Sequence, residues 1–238
     1  MLCLVSDIHG KFGAFKTLME KIKFDPEKDN MIILGDVIDR GEESIELLNY
    51  IKPMIEKHTI ELLLGNHELF CIMYLDGILD ADMWSAFGGE DTLKTVKKMS
   101  EKDKDELKCF LKGLPLYSEN YSKLLGDFIC THSGLHADYL IRNRNGTINV
   151  KKSIEEAFKN DYYRLMCGMD LHYLSKKDKE NMDRFLVVGH VPCNRLRESM
   201  NDNRFIRTPY YMDIDAGSGH EGGLLGCYIV DTDEEVYV

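Results

Sequence analysis

The sequence predicts an α/β fold, and two observations carry it. Short apolar runs of strand length alternate with longer segments whose apolar residues recur at helical spacing. The first three runs are separated by one helical segment each, the pattern of a parallel sheet with crossover helices. In order, Leu2–Val5 reads as a buried strand, and residues 12–24 as a helix with apolar positions at 12, 15, 18, 19 and 22, stopped by Asp25-Pro26. Residues 31–34 form a second buried strand. Residues 43–57 form a helix with Ile45, Leu48, Ile51 and Ile55 on one face, and residues 60–64 a third strand. Residues 69–79 and 100–111 read as helices, the second capped by Ser100 and ended by Gly113-Leu-Pro115. The mixed charge of residues 97–108 is that of a solvated helix face. Residues 124–131 return to strand, 143–146 turn, 154–166 are helical, 175–183 form a capped helix and 185–188 a buried strand. Residues 204–238 alternate apolar and polar side chains around glycine-rich turns, which predicts antiparallel strands.

The chain has 238 residues, 44% apolar and 30% charged, enough for one large domain with a sizeable core. Its net charge of −11 argues against nucleic acid or an anionic membrane as a partner held by a broad basic field. Seven cysteines, an odd count without C-x-x-C spacing, indicate neither a disulfide framework nor a zinc knuckle. No apolar run approaches the ~18 residues of a membrane span, and the N-terminal run is too short for a signal peptide, so a cytoplasmic location is expected.

Each buried run leads directly into residues of metal-ligand type. Leu2–Val5 precedes Ser6-Asp7-Ile8-His9, and the second run precedes Gly35-Asp36-Val37-Ile38-Asp39-Arg40-Gly41. The third precedes Gly65-Asn66-His67-Glu68, and the later strands precede His132 and His190. Ligands of open α/β sheets bind beyond the carboxyl ends of the strands, so these scattered residues are expected to converge. Asp7, His9, Asp36, Asn66, His132 and His190 offer oxygen and nitrogen donors suited to a divalent first-row metal. Six donors are too many for one tetrahedral site and fit two metals sharing a carboxylate, with Asp36 as the bridge. The isolated histidines His58, His136 and His172 read as surface or core residues.

Taken together, D-x-H-G at 7–10, G-D-x-x-D-R-G at 35–41, G-N-H-E at 65–68, T-H-S-G at 131–134 and G-H-x-P at 189–192 resemble the phosphoprotein phosphatase family of metallophosphoesterases, above all its bacterial and bacteriophage members. Trp84, Gly88-Gly89 and Thr92 resemble a W…GG…T stretch of bacterial members, and residues 211–217 their late IDTG segment. The resemblance implies a four-layer αββα sandwich of the calcineurin-like metallophosphoesterase type, a single catalytic domain over residues 1–238 with a variable helical segment at about 69–122. It implies one metal on Asp7, His9 and Asp36 and a second on Asp36, Asn66, His132 and His190, with manganese expected and iron or zinc as alternatives. It further implies His67 as the general acid, oriented by Asp39, and Arg40 as a phosphate contact. The second phosphate-binding arginine is placed at Arg164, with Arg142 and Arg144 as rivals. Ser6 stands where the family has glycine, and Ser133 where it has a second glycine.

The expected activity is that of a phosphomonoesterase, a serine/threonine protein phosphatase acting on a phosphoprotein or phosphopeptide by direct attack of a metal-bridging hydroxide. Asp39-Arg40-Gly41 and Glu68 favour that reading. The alternatives are a symmetrical dinucleoside polyphosphate hydrolase on the same metal site and, third, a metal-free scaffold.

Overall fold

The computed structural model describes residues 1–197 and 202–238. Among these, the strands are β1 (Leu2–Val5), β2 (Asn30–Ile33), β3 (Ile60–Leu62), β4 (Tyr117–Ser122), β5 (Gly126–Thr131), β6 (Phe185–Val188), β7 (Ile206–Arg207), β8 (Tyr211–Asp213), β9 (Gly226–Ile229) and β10 (Glu234–Tyr237). The helices are α1 (Phe12–Lys21), α2 (Ser44–Glu56), α3 (Asn66–Leu75), α4 (Ala81–Trp84), α5 (Glu90–Lys98), α6 (Glu101–Lys112), α7 (Val150–Cys167), α8 (Asp170–Tyr173) and α9 (Lys176–Glu180). They build two five-stranded mixed sheets, ordered β10-β9-β1-β2-β3 and β4-β5-β6-β8-β7. β1, β2 and β3 are parallel neighbours, as the alternation of runs and helices predicts, and so are β5, β6 and β8.

Side chains alternate between the faces of each strand, and each face has its own partner. Leu4, Ile32, Phe128, Cys130, Val187, Met212 and Tyr228 fill the space between the sheets. On the opposite face of the first sheet, Cys3, Val5, Met31 and Ile33 pack on Phe15, Leu18, Leu47 and Ile51 of α1 and α2. On the outer face of the second, Ile129, Leu186 and Val188 pack on Ile154 and Ala157 of α7. The layers are therefore helix, sheet, sheet, helix, the αββα sandwich that the resemblance implies.

The expected outline lacks the helices α4, α5 and α8, and four further elements depart from it. β8 joins β6 in parallel, because the chain crosses over before it; β7 with β8 and β9 with β10 do pair antiparallel. β4 is a polar edge strand, too weakly patterned to be read from its sequence, held by antiparallel pairing with β5. α7 is longer than expected and breaks at Asp161 (φ −150°, ψ 65°). α3 begins at Asn66, ahead of the expected residue 69, because the Glu68 carboxylate accepts the Gly65 N–H (3.0 Å) and caps the helix there. The seven cysteines are free. No helix of the described residues is long and apolar enough to cross a membrane.

Candidate metal centre

The loops after β1, β2, β3, β5 and β6 meet at one rim of the sandwich. They do so in tight conformations: of nine non-glycine residues with positive φ among the described residues, six are Asp7, His9, Asp36, Asp39, Arg40 and His190. Left-handed backbone in such residues persists only where the surroundings enforce it, and it clusters at functional sites. Glu68 supplies the enforcement around Asp36. Buried completely, its carboxylate accepts the backbone N–H groups of Asp36 (2.8 Å), Val37 (2.9 Å) and Ile38 (3.3 Å) in addition to that of Gly65. A Cβ on Gly65 would lie 2.2 Å from Asp36 Oδ1, so only glycine lets the two loops approach. Across the rim, Asp7 Oδ2 accepts the His190 N–H (3.0 Å) and the hydroxyl of Ser6, which gives the serine at the family's glycine position a partner.

The structure brings all six expected donors together. His9 Nδ1–H donates to Ile38 O (3.0 Å), leaving Nε2 with its lone pair 3.8 Å from Asp7 Oδ1 and 3.7 Å from Asp36 Oδ2. His132 Nδ1–H donates to Leu34 O (2.8 Å), leaving Nε2 as an acceptor 2.8 Å from Asn66 Oδ1 and 3.5 Å from Asp36 Oδ1. His190 Nδ1 is 2.9 Å from the same Asn66 oxygen. The two oxygens of Asp36 thus face different clusters. His9, Asp36 and His67 have donor atoms mutually within 4.8 Å, and so do Asp36, His132 and His190. Acceptors facing acceptors are satisfied by a shared cation. Asp7 Oδ1 is buried with no hydrogen-bond partner. The donor set therefore fits two divalent ions around Asp36, by position and by chemistry.

Burial sets the charge states. It raises the Asp36 carboxyl well above the usual carboxylate range, with Asp7 and Glu68 adding repulsion. It holds His9 well below the usual histidine range, lowers His132 and pushes His190 down to about 3. Neutral imidazoles and crowded carboxyls are what a cation relieves on binding. The Arg40 guanidinium already lies here: Nη1 donates to His9 Nε2 and His220 Nε2, each at 2.9 Å, and Nη2 to His67 Nε2 at 3.2 Å.

Beside the clusters, His67 Nδ1 is 2.8 Å from Asp39 Oδ2, which also accepts Trp84 Nε1–H (2.8 Å). The Asp39 N–H in turn donates to Ser44 Oγ (2.9 Å) and Thr92 Oγ1 (3.2 Å). The W…GG…T stretch therefore acts as a brace for Asp39.

Arg164 is placed elsewhere. Half-exposed at the end of α7, it pairs with Asp138 (3.0 Å) and Asp170 (3.3 Å) and does not line the mouth of the centre. Of its rivals, Arg142 pairs with Asp178 (2.6 Å) and Arg144 is absent from the mouth's lining. The guanidinium that does line the mouth, with Arg40, is Arg195. It follows the G-H-x-P turn by three residues, a signal that could have found it. His220, from the glycine-rich 216–223 loop, was also missed, because its spacing matches no ligand pattern. The mouth is a cavity of about 510 Å³; a larger one of about 650 Å³ lies away from the centre, beside β3 and α6.

Residues 2–221 match the family model described as calcineurin-like phosphoesterase. The chain is 32% identical over 214 residues to a symmetrical bis(5'-nucleosyl)-tetraphosphatase of Actinobacillus succinogenes, covering 89% of this chain and 69% of that relative. It is 30% identical over 136 residues to the enzyme of the same name from Glaesserella parasuis, where the match covers 57% of this chain and 45% of the relative. The chain thus spans about half the length of several of the curated relatives it matches. The crystal structure of a putative diadenosine tetraphosphatase superposes with a TM-score of 0.60 at 16% identity, over 100% of this chain and 92% of that one, a likeness of fold. A metallophosphoesterase sandwich with a donor set for divalent ions at its rim, matched along nearly its whole length, places the chain in the calcineurin-like phosphoesterase family.

Proposed function

We propose that the protein is a metal-dependent hydrolase of phosphoric anhydrides that cleaves dinucleoside tetraphosphates symmetrically. One observation carries the reading: two guanidiniums, Arg40 and Arg195, line one mouth above the donor clusters. Two forks also serve the monoesterases that the motifs resemble, and here the mouth of about 510 Å³ leaves room for phosphates beyond the one under attack. The names of the curated relatives support the same substrate class.

Asp7, His9 and Asp36 would hold one ion, and Asp36, Asn66, His132 and His190 the other. When bound, such a pair supplies Lewis-acid activation of water and of the phosphoryl oxygens. Arg40 grips the phosphoryl group under attack and Arg195 the phosphates beyond it. The bond broken lies between the second and third phosphorus atoms. Water supplies the new oxygen, and His67, held by Asp39, gives its proton to the departing phosphate oxygen. Two nucleoside diphosphates leave.

The protein phosphatase reading loses the residues that favoured it. Asp39 orients His67 and Glu68 caps the Asp36 loop, so both build the centre and neither reports on the substrate. The test is a product analysis with manganese. Diadenosine tetraphosphate is expected to give ADP alone, with kcat/KM at least tenfold above that for a phosphoserine peptide. AMP plus ATP as products, or the reverse order of substrates, overturns the reading.

A further inference from the structure

Three aromatic rings from three elements form one wall of the mouth. Phe70 lies one turn along α3 from His67, with ring centroids 5.4 Å apart. Phe87, from the turn between α4 and α5, stacks on Phe70 at 4.7 Å with planes 29° apart. Tyr163, from α7 beyond its break, closes the row 6.4 Å from Phe70. Phe70 is buried, but Phe87 is half-buried and Tyr163 is 45% exposed, so the wall becomes more open away from His67. All three line the same cavity of about 510 Å³ as Arg40 and Arg195.

Phosphate alone does not call for this wall, since the guanidiniums of Arg40 and Arg195 already offer it partners. Phe87 and Tyr163, partly exposed and backed by the buried Phe70, face a cavity that suits a ligand with one charged and one aromatic end. The wall starts beside His67, the proposed proton donor, and so lies on the side from which the leaving group departs. We propose that Phe70, Phe87 and Tyr163 hold the nucleobase of the departing nucleoside diphosphate, with its phosphates on Arg40 and Arg195. This rests on the anhydride hydrolase reading and adds to it where the base sits and which residues favour a nucleotide over bare polyphosphate.

The experiment is calorimetric titration of the manganese-loaded full chain with ADP, inorganic pyrophosphate and phenyl phosphate. The proteins are the wild type, Phe87→Leu and Tyr163→Ala; Phe87→Leu keeps most of the volume, Tyr163 is exposed, and thermal melts check the fold of both. The wild type is expected to bind ADP about tenfold tighter than pyrophosphate, in line with one stacked base. Each variant is expected to lose ADP affinity at least fivefold more than pyrophosphate affinity. Equal losses for the two ligands, or no preference for ADP in the wild type, overturn the proposal. Phenyl phosphate bound as tightly as ADP, and weakened as much, reassigns the wall to aryl phosphates and overturns it too. Failure to cleave diadenosine tetraphosphate, with the ADP preference present and lost in the variants, rejects the hydrolase reading and leaves the wall assigned.

Discussion

His67 shows how a single side chain is committed to one task. Its Nδ1 is fixed on Asp39, and Asp39 is itself fixed by Trp84. Nε2 is therefore the atom turned toward Asp36 and Arg40. A general acid contributes about 10²–10⁴ in rate, most where the leaving oxygen is poor. His67→Asn is expected to lower kcat by about 10²–10³ on an alkyl phosphate and far less on p-nitrophenyl phosphate, whose leaving group needs little protonation. Metal content measured on the same preparations should be unchanged. An equal loss on both substrates would reject His67 as the proton donor. Arg164 teaches the converse at this scale: its type suits phosphate, but Asp138 and Asp170 already occupy its fork.

Among the elements, the first turn of α3 is the keystone. Glu68 ties it to the Asp36 loop through the N–H groups of Asp36, Val37 and Ile38 and caps it through that of Gly65, four buried donors that lose this acceptor together if the carboxylate is removed. Leaving a buried donor unpaired costs about 1–3 kcal/mol. Glu68→Ala should therefore lower unfolding stability in urea by about 3 kcal/mol or more, well above the effect of an ordinary surface substitution. A loss below about 1 kcal/mol would show that the loop keeps its shape without the cap. The start of this helix was not legible, because its N-cap is a glycine without a side chain, and only the local return of the Glu68 carboxylate to the Gly65 N–H marks it. The break of α7 was equally hidden. Beyond Asp161, Tyr163 and Cys167, four residues apart and on one helical face, line the mouth, while Arg164 between them points away.

At the level of the molecule, the convergence of the candidate metal donors was readable because each directly follows an apolar strand, and parallel strands end at a common rim. Arg195, His220 and the aromatic wall were not, since packing rather than spacing brings them there. The donors come from both layers: Asp7, His9, Asp36 and Asn66 follow strands of one sheet, and His132 and His190 follow strands of the other. Ions bound between them would join the layers as well as serve the chemistry. Manganese at about a thousand times its dissociation constant should raise stability by about 4 kcal/mol, read as an upward shift of the melting midpoint that a chelator reverses. No shift would mean that the donor set holds no ion in the folded protein.

The order of strands in the first sheet has a consequence for biosynthesis. β1, which delivers Asp7 and His9, lies between β2 and β9, and β9 is formed by residues 226–229. A nascent chain emerging from the ribosome can pair β1 with β2 early, but the other edge of β1 stays open until residues 226–229 have been translated as well. Its exposed backbone invites premature pairing meanwhile, so a segment made much later shields an early one.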